Sequence, residues 1–94
     1  MISLLEDRKQ EIIQIAESHG AHEIRIFGSA AHGEFKPESD IDVIVRLEPN
    51  RSLLDLIAIK QDLEDLLGRE IHIVTEKSIS PYIRESVLKE AVSL

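Results

Sequence analysis

A chain of 94 residues without cysteine leaves room for a single hydrophobic core, residues 1–94 forming one domain, and excludes disulfides and thiolate metal sites. Apolar residues make up 43% and charged residues 31%, the balance of a folded globular protein and not of a disordered segment. The net charge is −7 and no run of lysine and arginine occurs, so long nucleic acid is a poor ligand; a basic protein surface, or a nucleotide whose phosphates are covered by Mg²⁺, fits better.

Between Ser3 and Ser18 the residues Leu5, Ile12, Ile13, Ile15 and Ala16 recur at helical spacing, with Gly20 as a stop, which predicts one helix. Met1 to Lys9, interrupted by Glu6, Asp7, Arg8 and Lys9, lacks the apolar stretch of a signal peptide, and no other segment could span a bilayer. A cytoplasmic location is the expectation. Glu23 to Phe27 alternates as a short strand running into the Gly28-Ser29 turn, after which a single helical turn is expected. Asp40 to Leu47, rich in Ile and Val, gives a second strand. Leu53 to Leu67 is a helix capped by Ser52 and ended by Gly68. Glu70 to Thr75 gives a third strand, and Ser80-Pro81 opens a last helix running through Leu94. Strands alternating with helices predict an α/β (α+β) domain: a small mixed sheet of about three to four strands flanked by helices.

The chemistry concentrates between Phe27 and Val45. A strand that stops at Gly28-Ser29 and turns into a helix start offers backbone N–H groups at the positive end of a helix dipole, and glycine lets a phosphate approach the backbone. Asp40 and Asp42 lie two apart in a strand, so both carboxylates leave the same face and repel one another unless a cation lies between them. Mg²⁺ is the natural candidate, being hard and partial to carboxylate and phosphate oxygens. Val43-Ile44-Val45 follows at once, which sets the pair at the edge of a core.

Gly28-Ser29, then Gly33, then Asp40-x-Asp42 in an apolar strand resembles the signature of the DNA polymerase β-type nucleotidyltransferase superfamily. The short length resembles its minimal nucleotidyltransferase branch. The resemblance implies that Gly28, Ser29 and Ser39 bind the nucleotide and that Asp40 and Asp42 are catalytic, as ligands of two Mg²⁺ ions. It further implies ATP as substrate, transfer of AMP to a hydroxyl, and a role as the antitoxin of an HEPN-domain ribonuclease toxin, adenylylated on a tyrosine. A binding-only antitoxin that masks its partner is the alternative. A complex with another protein or with a second copy is expected in either case, since Tyr82, Ile83, Val87, Leu88 and Val92 give the last helix more apolar surface than one small sheet covers.

Two positions depart from that pattern. His72 stands where the superfamily usually has a third carboxylate; it reads as a metal ligand, a general base or an inert sheet-surface histidine. Glu70 faces the same way but lies two residues off, roughly 7 Å along the strand, and would substitute only if the register shifted. His32 stands where arginine is common. His19 and His22 read as ordinary surface histidines.

Overall fold

The computed structural model describes residues 2–32 and 40–94; Gly33 and Ser39 lie outside the described residues, as do the side chains of Ser29 and His32. Helices α1 (Ser3–Asp7) and α2 (Lys9–Ser18) lead into strand β1 (Ala21–Phe27) and the single turn α3 (Ser29–His32). Strand β2 (Ile41–Leu47), helix α4 (Leu53–Leu67) and strand β3 (Ile71–Thr75) form a β-α-β unit. A 3-10 turn (Glu76–Ser78), helix α5 (Pro81–Glu90) and the two-residue strand β4 (Val92–Ser93) follow. The sheet order is β3-β2-β1-β4, with β2 and β3 parallel and both β2 and β4 antiparallel to β1.

The parallel pair is possible because α4 supplies the crossover that parallel neighbours need. Its start is fixed by a capping box: the Ser52 side chain accepts from the Leu54 N–H at 3.2 Å, and the Asp55 carboxylate accepts from the Ser52 N–H at 3.0 Å. Its end is fixed by Gly68 at φ +66°, the left-handed cap that glycine adopts without strain. Ile59, Leu63 and Leu67 of α4 pack with Ile12 and Ala16 of α2 and with Leu5, Ala30 and Ala31 against one face of the sheet, where Ile26, Ile41, Val43, Val45 and Ile71 are buried. Fully burying each such side chain stabilises by about 1.5–3 kcal/mol, against about 0–1 kcal/mol for an exposed ion pair, so this face holds the domain together. Alternation sends Asp42, Ile44 and Arg46 to the opposite face.

Three elements depart from the sequence reading. The first helix is interrupted at Arg8 (φ −108°, ψ 13°), because the Ile2 N–H is tethered to the Ala30 carbonyl at 3.2 Å and sets the direction of α1 independently of α2. Strand β1 begins two residues earlier than expected and contains a bulge. His22 pairs with Arg46 but Arg25 pairs with Ile44, so β1 holds one extra residue there, and Glu23 takes φ +52°. The bulge explains why odd-numbered Ala21 and even-numbered Ile24 and Ile26 all reach the core. Finally, the last helix stops at Glu90 rather than continuing through Leu94. Val92 and Ser93 instead cover the free edge of β1, pairing with Ile26 and Arg25, because the open strand offers the backbone hydrogen bonds that a solvent-exposed helix end cannot.

The capping box yields a direct test. Ser52→Ala removes one acceptor and should cost about 1 kcal/mol, lowering the melting temperature by roughly 4–8 °C. Thermal unfolding followed by circular dichroism measures it; an unchanged midpoint would show that packing alone sets the start of α4.

Candidate active site

The site begins at the point where β2 meets β3. The Ile41 N–H donates to the Glu70 carbonyl at 3.0 Å, and the parallel register then runs Ile41 with Ile71 and Asp42 with His72. Residues two apart on a strand share a face, so Asp40 and Asp42 stand on one strand beside Glu70 and His72 on its neighbour. The result is a two-by-two array of three carboxylates and one imidazole. His72 Nε2 lies 3.2 Å from Asp40 Oδ2 and 3.6 Å from Glu70 Oε1, and His72 Nδ1 lies 3.6 Å from Asp42 Oδ1. Ligand atoms of Asp40, Glu70 and His72 all fall within 4.8 Å of one another. In the observed register His72 stands opposite Asp42, and the Glu70 carboxylate comes near His72 and Asp40. The extra methylene of glutamate spans the gap that strand spacing alone suggests.

Strand β3 is pinned from behind. The Glu64 carboxylate accepts from the Ile71 N–H at 3.1 Å and pairs with Lys60 at 2.9 Å. The Lys60 hydrogen bond, followed by that of the Ile71 N–H, holds the Glu64 carboxyl below its usual range. The sequence reading missed this support, although Lys60 and Glu64 stand at the i,i+4 spacing of a helical ion pair.

Gly28 closes the array on its other side. Phe27 pairs with Asp42 across the antiparallel strands, so the turn that ends β1 lies against that carboxylate. Gly28 has φ +73°, and a Cβ on it would come within 2.7 Å of Asp42 Oδ2. Only glycine meets both conditions. The Ala31 N–H donates to the Gly28 carbonyl at 3.2 Å, opening the helical turn expected after Ser29, while Ala30 and Ala31 are buried beneath it. The structure thus joins the glycine turn and the aspartate pair, which the sequence had only placed in series.

The electrostatics favour a cation. Burial raises the Asp42 carboxyl above its ordinary value; neighbouring His72 opposes the rise and Asp40 adds to it. An imidazole carries at most one positive charge, so His72 could offset just one of the three carboxylates around it. His72 is 52% exposed, yet with acidic oxygens against both ring nitrogens it is not an isolated surface histidine. The carboxylate donors suit Mg²⁺, and Gly28 avoids the clash with the Asp42 carboxylate that a side chain there would bring. A cavity of about 520 Å³ between α2, β1 and β4, lined by Ile13, Glu17, His22, Arg25 and Leu94, includes none of these groups and is not the acidic site. His19 and His22 lie outside the site as expected, at 3.2 Å from Asp62 and 3.8 Å from Glu48. No described helix is long and apolar enough to cross a membrane.

Known proteins share this arrangement of elements. The nucleotidyltransferase domain family matches residues 9–94. A candidate protein adenylyltransferase of Methanocaldococcus jannaschii is 43% identical over 92% of each chain. The protein adenylyltransferase MntA of Thermococcus cleftensis is 39% identical over 96% of this chain and 88% of its own. Among solved structures, a candidate minimal nucleotidyltransferase superposes with a TM-score of 0.90 at 41% identity, covering 98% of this chain and 94% of that one. The fold alone recurs, at 19% identity and a TM-score of 0.70 over 94% of this chain and 69% of the other, in a complex of tri-AMPylated Shewanella oneidensis HEPN toxin with its MNT antitoxin. The glycine turn, the paired aspartates and the four-stranded mixed sheet are accounted for together: the chain belongs to the nucleotidyltransferase domain family of enzymes and has the minimal nucleotidyltransferase fold.

Proposed function

We propose that this protein transfers AMP from ATP to a hydroxyl of a partner protein, and that the partner is an HEPN-type toxin held in check by this chain as antitoxin. The observation that carries the reading is the contact between Gly28 and Asp42. A turn suited to phosphate lies against a carboxylate suited to a cation, so closely that a Cβ on Gly28 would come within 2.7 Å of Asp42 Oδ2. Two relatives sharing 43% and 39% of their sequence bear the name protein adenylyltransferase, which supports AMP as the group moved.

In this reading the backbone at Gly28 and Ser29, together with Ser39, holds the triphosphate. Mg²⁺ bound by Asp40 and Asp42, two ions in this proposal, supplies neutralisation of the triphosphate charge and of the charge that develops during transfer. The acceptor hydroxyl oxygen, a tyrosine in this proposal, attacks the α-phosphorus; the bond from that phosphorus to the α,β-bridging oxygen breaks, and pyrophosphate leaves with the electron pair. His72 takes the hydroxyl proton, a task open to an imidazole nitrogen. The exposed Tyr82 and Ile83 of α5 and Leu53, Leu54 and Ile57 of α4 offer apolar surface for a protein partner. A masking antitoxin is the second reading, favoured by the imidazole at the corner beside Asp42, where it brings no negative charge.

Two outcomes are expected of Asp42→Asn. Co-expressed partner should carry an added adenylyl group by mass spectrometry, and the substitution should lower its formation about 10²-fold or more without unfolding the domain. Neutralisation of the partner with no adduct in any variant would instead establish masking.

The second outcome concerns stability. Because folding raises the Asp42 pKa, the folded state binds that proton more tightly than the unfolded chain, and the ionised form opposes folding at neutral pH. Asp42→Asn, without added metal, should therefore melt no lower than wild type at pH 7, and any gain should fade as acid protonates the wild-type carboxyl. Thermal melts across pH 4 to 7 decide this; a variant less stable at pH 7 contradicts it.

A further inference from the structure

We infer that Glu70 is the third carboxylate ligand of the nucleotide's divalent cation in this chain, with His72 beside the metal as a base and not as a charge-bearing ligand. The inference rests on the proposed nucleotidyl transfer. Three observations support it. The backbone holds Glu70 in place: its carbonyl accepts the Ile41 N–H at 3.0 Å, and its neighbour Ile71 is bound by Glu64 at 3.1 Å, so the residue is fixed opposite Asp40. The side chain crosses the remaining distance, since Glu70 Oε1 stands 3.6 Å from His72 Nε2 and within 4.8 Å of the Asp40 ligand oxygen. Its chemistry is the right one, because a carboxylate brings the hard oxygen and the negative charge that Mg²⁺ prefers, whereas imidazole brings neither. Gly28, where a Cβ would come within 2.7 Å of Asp42 Oδ2, leaves the Asp42 carboxylate its place beside this group.

Glu70 is exposed, so its replacement should leave the fold intact, which thermal melts verify. The probe is Mn²⁺ alone, titrated into the purified full chain and followed by electron paramagnetic resonance of the free ion. Glu70→Gln and Glu70→Asp should each weaken Mn²⁺ binding by about tenfold or more, as Asp40→Asn does, the aspartate variant because it withdraws the charge by one methylene. His72→Gln should weaken it less than either. Wild-type binding in Glu70→Gln, alongside loss in Asp40→Asn, overturns the assignment of Glu70 and leaves the proposed function standing. Wild-type binding in Glu70→Asp overturns direct ligation, since charge without reach would then suffice. A larger loss in His72→Gln than in Glu70→Gln moves the ligand to His72 and overturns the inference. Absence of Mn²⁺ binding by the wild-type chain overturns both the inference and the two-metal reading beneath it.

Discussion

The parallel pairing of β2 with β3 is the interaction on which the rest of this small domain depends. It aligns Asp42 with His72 and brings Asp40 beside Glu70, and it does so through backbone hydrogen bonds whose register tolerates no partial slip. A shift of one residue would send the acidic side chains into the core now filled by Val43 and Val45, and those valines toward solvent. The burial that makes the sheet stable therefore also sets the geometry of the acidic array. Helix α4 enforces the pairing from both ends, with the Ser52 and Asp55 cap at its start and the Glu64 contact to Ile71 near its close.

Against that rigid frame the site itself is electrostatically uncomfortable. Three carboxylates share a small space, one is pushed toward its protonated form by burial, and a single histidine stands between them. Such an arrangement costs stability when nothing positive is bound, and proteins retain it where the charge has work to do. The core compensates: the apolar face beneath is closely filled, and the surface network of Arg25 and Arg46 with Glu23 and Glu76 at 3.3 to 3.7 Å contributes little by comparison.

Much of this was legible in the residues. The spacing of Leu53, Leu63 and Leu67 between Ser52 and Gly68 gives α4 its observed limits, since cap, periodicity and stop agree. The Asp-x-Asp pair and the Gly28 turn could be located because their residue types are costly elsewhere. What could not be read depends on contacts distant in sequence. The break at Arg8 answers to Ala30, the β1 bulge answers to the partner strand, and β4 forms only because β1 leaves an edge open. The approach of the Glu70 carboxylate to within 3.6 Å of His72 was hidden for a related reason: strand arithmetic counts backbone steps and ignores the length of the side chain.

The bulge at Glu23 has a bearing on how this chain can change over evolutionary time. Its extra residue sets the phase of everything up to Phe27, and so decides on which side of the sheet the Gly28 turn emerges. Loss of a single residue there would rotate the Gly28 turn away from Asp42 while leaving every residue of the acidic array in the sequence. The short connection from Glu48 to Ser52, by contrast, feeds a helix with its own start signal and could lengthen without disturbing that phase. Tolerance to insertion and deletion should thus differ sharply between the β1 bulge and the connection that follows β2, a constraint of frame imposed by the pleat and not by any particular side chain.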